Sequence, residues 1–263
     1  MRADKFFANR FGSRTKAAEA LEKGWVLVNG KAIRPKDEVK ETDIISFVET
    51  GNRFVSNGGY KLATALEHFS FSCKNGVFVD LGASTGGFTD CLLQNGAKQV
   101  FAVDVGESQL HEKLINDTRV YVMDNTNARY LSAADFPCEI DCVVTDVSFI
   151  SLRLIFPAIA AILEENGCAF TLIKPQFECE NKNIGKSGIV RNSAHAEIVK
   201  KVIGYATECG LYPFGIVHAP IRKGKNVEYV VYWKKSRQAS LSAGAIVETV
   251  RSIVKKISLG ELE

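Results

Sequence analysis

The sequence lacks an apolar run long enough to cross a lipid bilayer. Its longest one, residues 154–163, has ten residues, whereas a transmembrane helix needs about 20. The N-terminus, MRADKFFANRF, also lacks the charged and then apolar layout of a secretory signal. These two absences argue against insertion in a membrane and against export, so we expect a protein of the cytoplasm.

Metal-ligand spacings are absent as well. The seven cysteines are scattered, and none belongs to a CxxC pair or stands near a histidine cluster. An odd, scattered set indicates reduced thiols rather than a disulfide framework or a zinc site. The hydrophobic content of 46% and the charged content of 24% are those of an ordinary globular protein. We therefore expect a folded chain without a metal ion at its functional site.

Excess positive charge is confined to the N-terminal part of the chain. The formal net charge is only +3. Residues 1–60 contain eleven Lys and Arg against eight Asp and Glu, and the rest of the chain contains 22 of each sign. A local basic excess is typical of surfaces that bind phosphate groups, although one this small is equally typical of an ordinary solvated surface.

Residues 1–50 predict a small α+β domain. We expect one helix over residues 4–10 and a second over residues 14–22, with Ser13 as its N-cap. A hairpin follows, because the strand-like WVLV runs into Asn29-Gly30, a dipeptide preferred by type I′ turns, and the chain returns through residues 31–33. A further strand is expected over residues 44–48.

Four basic residues accompany these two helices: Arg2, Arg10, Arg14 and Lys16. Together they can offer guanidinium and ammonium groups to a phosphate backbone. The segments SRTKA (13–17) and VLVNG (26–30) resemble those of the S4-type RNA-binding module. The resemblance implies that this domain binds RNA. The alternative is a helix-hairpin domain that only packs on its neighbour.

From residue 76 onward, apolar strands alternate with amphipathic helices. The strand-like segments are VFVDL, QVFAVD, RVYVM, IDCVVTD, CAFTLIK, YPFGIVHA and VEYVVYW. Their alternation predicts an α/β fold with a parallel, doubly wound, Rossmann-like sheet. We expect a linker at residues 51–62, the α/β domain at residues 63–238 and a docking helix within residues 239–263.

A nucleotide site is predicted where the first of these strands ends. The run DLGASTGGF (80–88) places glycines at a strand-to-helix turn, where backbone amides can approach a ligand closely. A second strand ends in Asp104, about 20 residues later, where an acid can accept hydrogen bonds from ribose hydroxyls. The turn is not GxGxxG, and its acid at residue 80 suits an ammonium group and repels a pyrophosphate. This favours S-adenosylmethionine over a dinucleotide. The predicted contacts are Asp80, Gly82, Ser84, Gly86, Gly87, Phe88, Asp104 and, on the adenine side, Asp124.

Four further polar residues stand where a plain surface role is hard to accept. Asp146 ends the fourth strand and Lys174 ends the fifth, and strand ends of such sheets line the ligand crevice. Lys61 lies just ahead of the domain, in GGYKL. Glu228 is expected within the apolar strand VEYVVYW, where an unpaired carboxylate would be costly. For any one of them alone, a surface salt bridge is an equal alternative.

These four residues form the set that methylation of a ribose 2′-hydroxyl requires. The hydroxyl proton leaves reluctantly near neutral pH, and a lysine beside another cation can act as a base. We assign Lys174 to take or steer this proton and Lys61 to hold the hydroxyl. Asp146 and Glu228 are expected to orient the two lysines. No Asn-Pro-Pro-Tyr or Asp-Pro-Pro-Tyr run is present to clamp the amino group of a base, which again favours ribose.

Longer segments resemble the TlyA family of haemolysin-A-like rRNA methyltransferases. They are DLGASTGGFTDCLL, AVDVG, TDVSFISL, IKPQFE, GKSGIVR and NVEY, and the resemblance covers nearly the whole chain. It implies an FtsJ-like Rossmann methyltransferase fold, S-adenosylmethionine as cofactor and ribosomal RNA or ribosomal subunits as partner. It also implies 2′-O-methylation of cytidine, with the catalytic tetrad carried onto Lys61, Asp146, Lys174 and Glu228.

Three alternatives stay open at this stage. The family name includes a haemolytic label, so a membrane-active protein is one of them. A methyltransferase with a base, a protein or a small molecule as acceptor is the second, and an RNA-binding scaffold without activity is the third. The polar, glycine-bearing loop over residues 176–192 is expected to be either a lid over the site or a plain surface loop.

Overall fold

The computed structural model describes residues 1–11, 13–22, 24–40, 42–47, 53–185, 187–222 and 224–262. The side chains of residues 9, 16, 47 and 181 lie outside this description. The chain forms two compact units, Met1–Arg53 and Phe54–Glu263. The first has one hydrophobic core, and the second has a core on each face of a central sheet.

The first unit combines three short helices with a three-stranded sheet. Its elements are α1 (Ala3–Phe6), α2 (Ala8–Phe11), α3 (Arg14–Glu22), β1 (Val26–Val28), β2 (Lys31–Ala32) and β3 (Ile45–Phe47). The strand order is β2-β1-β3, and both pairings are antiparallel. Asn29 and Gly30 have φ angles of 52° and 77°. Two positive φ angles are what a type I′ turn needs, so the predicted hairpin is confirmed.

The helix expected over residues 4–10 is wrong, because the chain turns at Phe7 and forms two short helices instead. Phe7 is 3% exposed and joins the core of this unit. Ala17 and Leu21 of α3 meet it there, since residues four apart lie on one face of a helix. The second predicted helix, over residues 14–22, is confirmed.

The second unit is an α/β sandwich around a seven-stranded sheet. Its elements are α4 (Gly58–His68), β4 (Val77–Leu81), α5 (Gly87–Gln94), β5 (Gln99–Val103), α6 (Glu112–Ile115), β6 (Val120–Met123), β7 (Cys142–Thr145), α7 (Phe156–Ile162), β8 (Cys168–Ile173), α8 (Pro175–Glu178), α9 (His195–Glu208), β9 (Tyr212–His218), β10 (Tyr229–Lys234) and α10 (Ala243–Ser258). The strand order is β6-β5-β4-β7-β8-β10-β9. Strands β4 to β8 pair in parallel, as the alternation of strands and helices predicts.

The prediction of a wholly parallel sheet is wrong for β10. This strand pairs antiparallel with both of its neighbours, β8 and β9. No helix separates β9 from β10 in the described part of their connection, so the chain turns back directly. Strands joined by such a direct return run in opposite directions. Consequently β10 begins at the edge of the sheet where the parallel strands end.

The linker expected over residues 51–62 is also wrong from residue 54 onward. Phe54 is 1% exposed and Leu62 is fully buried, and both belong to the core of the second unit. Gly59 lies so close to the Phe54 ring that any side chain there would overlap it. Residues this deeply packed cannot serve as a free connection, so residues 54–62 form the start of the α/β unit.

Helices cover both faces of the sheet. Helices α4 and α5 contribute to the core on one face, and α7, α9 and α10 contribute to the core on the other. The docking helix expected near the C-terminus is α10, which buries Ile246, Val247, Val250 and Ile253. In the described parts of the chain, no helix is both long and apolar enough to span a membrane.

The carboxyl edge of the parallel strands gathers the predicted polar residues. Asp104, Asp124, Asp146 and Lys174 directly follow β5, β6, β7 and β8, in that order. The expectation that Glu228 lies within a strand is wrong, because it directly precedes β10. Since β10 runs antiparallel, with Tyr229 opposite Ile173, its start lies at the same edge. The fold therefore brings Glu228 to the crevice by a route that the sequence pattern did not show.

Candidate active site

The turn between β4 and α5 depends on glycine. Gly82 and Gly86 have φ angles of 81° and 90°, in the left-handed region that other residues rarely adopt. A side chain at Gly86 would also overlap Leu114, and one at Gly87 would overlap Ser56. These positions therefore require glycine, and the turn leads into the N-terminus of α5, where backbone amides can receive a ligand.

Asp80 lies beneath this turn with no exposed surface. Its Oδ2 accepts hydrogen bonds from the Thr89 amide at 3.0 Å and the Thr89 hydroxyl at 2.7 Å. Its Oδ1 is buried and has no hydrogen-bond partner among the described residues. Burial raises the pKa of Asp80 to about 7, against the effect of the Thr89 hydrogen bonds. A cationic partner at Oδ1 would satisfy the free oxygen and favour the ionised carboxylate.

A cavity of about 160 Å³ adjoins the turn. Five of the predicted cofactor contacts line it: Asp80, Gly82, Ser84, Gly87 and Phe88. Asp146 and Lys174 line it too, so it joins the glycine-rich turn to the predicted catalytic residues. Its charged groups are two carboxylates and one ammonium group. When Asp80 is ionised the lining is net negative, which suits a ligand that carries positive charge.

The remaining predicted cofactor contacts lie around this cavity rather than on its wall. Gly86 is the N-cap of α5. Asp104 accepts hydrogen bonds from the amides of Ser84 and Gly106, each at 2.8 Å, so it is fixed beside the glycine-rich turn. Asp124 accepts one from the Ser108 amide at 2.9 Å. Both acids shape the local backbone, and their contact with a ligand stays a prediction.

The four predicted catalytic residues form one continuous chain of ion pairs. Lys174 Nζ lies 2.6 Å from Asp146 Oδ1, and Lys61 Nζ lies 3.3 Å from Asp146 Oδ2. Lys61 Nζ also lies 2.8 Å from Glu228 Oε2. The order is thus Lys174, Asp146, Lys61, Glu228. The side chains of the four are between 9% and 19% exposed, so the chain is shielded from water but remains open to a substrate.

Ser148 is a further partner of Lys174. The Lys174 ammonium donates to the Ser148 hydroxyl at 2.6 Å and to the Asp146 carbonyl at 3.3 Å. Its short contact with Asp146 Oδ1 is an ion pair without hydrogen-bond geometry, which leaves that oxygen free to accept another donor. Sequence reasoning missed Ser148, although an Asp-x-Ser run directly after a strand was the available signal.

Gln176 and Glu178 hold the neighbouring segments in place. Gln176 Nε2 donates to Glu228 Oε1 at 3.4 Å. The buried Glu178 carboxylate accepts from the Ser151 hydroxyl and the Leu152 amide, each at 2.7 Å. Burial raises the pKa of Glu178, and these two hydrogen bonds oppose that effect. Glu178 thereby ties helix α8, next to Lys174, to the loop that carries Asp146.

Phe149 stands out because it is a large aromatic residue that is 90% exposed. Its φ of 62° is unusual for a residue with a bulky side chain. Its ring lies 5.1 Å from that of Phe177, centroid to centroid. The Phe177 centroid is in turn 5.9 Å from Lys174 Nζ. An aromatic surface therefore adjoins the ion-pair chain, and sequence reasoning gave no sign of it.

The first unit brings together two of its four predicted RNA contacts. Arg2 and Arg14 both pair with Asp4 Oδ2, at 3.0 Å and 2.8 Å. Their hydrogen bonds lower the pKa of Asp4 to about 2. Both arginines remain about half exposed, and Arg10 is exposed as well. The side chain of Lys16 lies outside the described part of the structure.

A groove of about 860 Å³ lies beside Arg2 in the same unit. Arg34 and Lys36 also line it, and sequence reasoning had not named either of them. They follow the three helices and the hairpin in the chain, so the pattern of basic residues on the helices does not reveal them. The groove brings these three cations together with three carboxylates, those of Asp4, Glu22 and Asp37.

Comparison with known proteins gives matches over both units. A family model of FtsJ-like methyltransferases matches residues 54–236, and a model of the S4 domain matches residues 1–45. The chain is 44% identical to "Putative rRNA methyltransferase YqxC" of Bacillus subtilis, over 84% of this chain and 80% of that protein. It is 36% identical to "16S/23S rRNA (cytidine-2'-O)-methyltransferase TlyA" of Mycobacterium tuberculosis, over 93% of this chain and 92% of that protein. The solved structure "Putative hemolysin from Streptococcus thermophilus" matches with a TM-score of 0.74 at 37% identity, over 98% of both chains.

Proposed function

Because the chain belongs to the TlyA family of FtsJ-like methyltransferases, we propose that it methylates a ribose 2′-hydroxyl of ribosomal RNA, with cytidine as acceptor. The observation that carries this proposal is the ion-pair chain from Lys174 to Glu228, set beside a net negative cavity. A reaction on ribosomal RNA also assigns the protein to the cytoplasm.

The cavity fits S-adenosylmethionine at several points. The free, buried oxygen of Asp80 suits the ammonium group of the methionine part, and Gly82 and Gly87 of the glycine-rich turn line the cavity, where backbone can approach a ligand closely. Asp104, beside this turn, is assigned to the ribose hydroxyls, and Asp124 to the adenine side. When bound, the cofactor supplies a methyl group on a positively charged sulfur.

Lys174 is the residue that we assign to the 2′-hydroxyl proton. It lines the cavity, and its ammonium group is already surrounded by oxygen atoms of Asp146 and Ser148. As the neutral amine, Lys174 would take the proton of the attacking hydroxyl; as the ammonium ion, it would hold the hydroxyl oxygen and steer the proton towards solvent. The bound cofactor would supply the methyl group that this oxygen accepts. General acid–base catalysis of this kind contributes about 10²- to 10⁴-fold.

The other three residues hold the lysines and the hydroxyl in place. Asp146 contacts both ammonium groups, which fixes the distance between them. Glu228 holds Lys61 from the other side, and Lys61 is assigned to donate to the attacking oxygen. Holding the oxygen in line with the methyl group is itself a large contribution to such a reaction.

Phe149 gives the acceptor nucleotide a surface on which to stack. Its exposed ring and the neighbouring Phe177 lie next to Lys174. Stacking of a base on an aromatic side chain is worth about 1–3 kcal/mol. A base placed there would bring its own ribose to the ion-pair chain.

Methylation of cytosine at C5 is an alternative that requires a cysteine nucleophile at the site. Cys138, of the Pro137-Cys138 pair, lines neither the cofactor cavity nor the space beside Glu228.

The first unit is assigned to binding the RNA through its phosphates. Arg2 and Arg14 are fixed by Asp4 yet remain half exposed, so they can reach a phosphate backbone. Arg10 and Lys16 are assigned to the same surface. We therefore assign residues 1–53 to holding the RNA backbone, and residues 54–263 to methyl transfer and to the acceptor nucleotide itself.

The proposal is tested by incubating the protein with purified small and large ribosomal subunits and methyl-labelled S-adenosylmethionine. We expect label in the RNA fraction, sensitive to ribonuclease and resistant to protease. Label in ribosomal protein, or none in RNA from unmethylated subunits, would contradict the proposed acceptor. Asp80→Asn serves as the matched control for dependence on the cofactor cavity.

A further inference from the structure

A second cavity, of about 190 Å³, adjoins the ion-pair chain at its other end. Lys61 and Glu228 line it, together with Gln176 and the β9–β10 loop residues Arg222, Lys225 and Asn226. The cofactor cavity adjoins the chain at Asp146 and Lys174 instead. Because Lys61 contacts Asp146 at 3.3 Å, the two cavities meet at the catalytic residues.

The two cavities differ in the sign of their charge. The cofactor cavity is lined by two carboxylates and one ammonium group. The second cavity is lined by three cations, Lys61, Arg222 and Lys225, and by a single carboxylate, that of Glu228. A pocket with two net positive charges attracts an anion and repels a sulfonium. The ion-pair chain thus separates a place for a cation from a place for an anion.

Two of these cations are available to a ligand. Arg222 and Lys225 are exposed, and neither has an ion-pair partner among the residues that the structure describes. Lys61, by contrast, is held by Glu228 and Asp146. An unpaired guanidinium can bind both non-bridging oxygens of one phosphodiester, and an ammonium group can share one of them.

The wall that carries these cations is held firmly. Asn226 accepts a hydrogen bond from the Val190 amide at 2.8 Å and donates one to the Gly188 carbonyl at 3.0 Å. The Ala219 amide donates to the Glu228 carbonyl at 2.8 Å, which closes the base of the loop. The segment expected as a lid, residues 176–192, is therefore tied to the β9–β10 loop through Asn226. A cavity with anchored walls can position a ligand rather than only attract it.

We infer that Arg222 and Lys225 bind the phosphodiester next to the ribose that is methylated. The inference rests on the proposed function, since it takes RNA as the substrate. In RNA the 3′ phosphate is attached to the carbon beside the one that carries the 2′-hydroxyl. A phosphate held near Lys61 therefore places the hydroxyl within reach of the ion-pair chain. A phosphate bound far from Lys61 would not position the hydroxyl in this way.

The test uses the full-length protein with both cations neutralised, as Arg222→Gln with Lys225→Gln. The matched control is Lys74→Gln with Lys98→Gln, which removes two exposed cations that precede β4 and β5, at the opposite edge of the sheet. Methyl transfer to naked ribosomal RNA gives kcat and KM, and filter binding of the same RNA over a range of salt concentrations gives affinity. Calorimetry with S-adenosylhomocysteine checks that the cofactor cavity is intact.

We expect the site variant to raise KM for RNA about tenfold and to lower kcat about tenfold, because a misplaced hydroxyl reacts slowly. The slope of log affinity against log salt should fall by about one, the value for one lost phosphate contact. The control should match the wild type in all of these. Arg222→Lys should recover part of kcat.

Three outcomes would overturn the inference. A site variant equal to the control in kcat, KM and salt slope would show that no phosphate binds there. A raised KM with unchanged kcat would show general attraction of RNA rather than a site beside the reacting ribose. If the wild type transferred no methyl group to any ribosomal RNA, the proposed function would fail, and an unchanged salt slope would then remove the phosphate site as well.

Discussion

Lys61 and Lys174 share one carboxylate, with the ammonium group of each lying beside a different oxygen of Asp146, at 3.3 Å and 2.6 Å. The two lysines come from α4 and from the end of β8, so their pairing depends on the packing of α4 against the sheet. This relationship places two cations within reach of a single hydroxyl group, and it underlies the predictions that follow.

Replacing Lys174 by alanine should lower kcat for methyl transfer by about 10²- to 10⁴-fold, because the group assigned to take or steer the hydroxyl proton is lost. The affinity for S-adenosylhomocysteine should change less than about fivefold, since Asp80 and the glycine-rich turn remain. Single-turnover transfer and calorimetry measure the two effects. The exposed Lys182, paired with Glu180, provides the control Lys182→Ala. Near-normal transfer by the Lys174 variant would remove it from the mechanism.

Asp146→Asn should reduce transfer more than Glu228→Gln. Asp146 contacts both lysines, whereas Glu228 contacts Lys61 and accepts from Gln176. Loss of the Asp146 carboxylate removes the group that holds both Lys61 and Lys174. Loss of the Glu228 carboxylate leaves Lys61 still paired with Asp146. The ratio of kcat values for the two variants gives the answer, and the reverse order would contradict the assignment.

The binding of S-adenosylhomocysteine should release a proton, and the release should depend on pH. The pKa of free Asp80 is about 7, raised by burial from 3.8. A bound ammonium group favours the ionised form, so release should approach one proton at pH 6 and fall towards zero by pH 8. Calorimetry in buffers of different ionisation enthalpy measures it. Asp80→Asn should bind weakly and release no such proton; equal release at both pH values would exclude this role.

The same carboxylate should lower the stability of the free protein as pH rises. The pKa of Asp80 is raised on folding, so its contribution is intact below about pH 4 and is lost progressively as pH rises to about 7. The Asp80→Asn variant has no carboxyl group here and so does not lose stability in this way. The free energy of unfolding of the variant, relative to that of the wild type, should therefore increase from pH 5 to pH 8. Urea denaturation at both pH values measures the difference, and a difference that is constant with pH would count against the buried, raised carboxyl.

Phe149→Ala should weaken the productive binding of RNA without destabilising the fold. The ring is almost fully exposed, and loss of one stacked base costs about 1–3 kcal/mol, which is about 5- to 150-fold in KM. Phe149→Tyr keeps the ring and should retain most of the activity. Thermal unfolding should be nearly unchanged in both variants. If alanine and tyrosine gave the same KM as phenylalanine, stacking on this ring would be excluded.

Much of the site could be predicted because its residues follow strands. Asp104, Asp124, Asp146 and Lys174 each come directly after an apolar segment, and parallel strands bring their carboxyl ends to one edge. The glycine-rich turn was visible for the same reason. These features depend on local patterns that repeat along the chain.

The remaining features depend on contacts that no local pattern records. Glu228 reaches Lys61 only because β10 runs antiparallel to β8. The apolar pattern of β10 does not indicate whether the strand pairs in parallel or antiparallel. Phe149 is exposed and has a left-handed backbone that phenylalanine rarely adopts, and no local pattern indicates either feature. Residues 54–62 resembled a linker by composition, but Phe54 and Leu62 are buried by residues distant in sequence.

The most direct test of the whole account is the identity of the methylated nucleoside. Ribosomal RNA labelled by the wild-type protein from S-adenosylmethionine would be digested to nucleosides and separated by chromatography with mass spectrometry. We predict that the label is in 2′-O-methylcytidine and is lost with Lys174→Ala. Label on a base, as in a C5-methylcytidine or an N-methylated nucleoside, would contradict the role given to the four residues from Lys61 to Glu228.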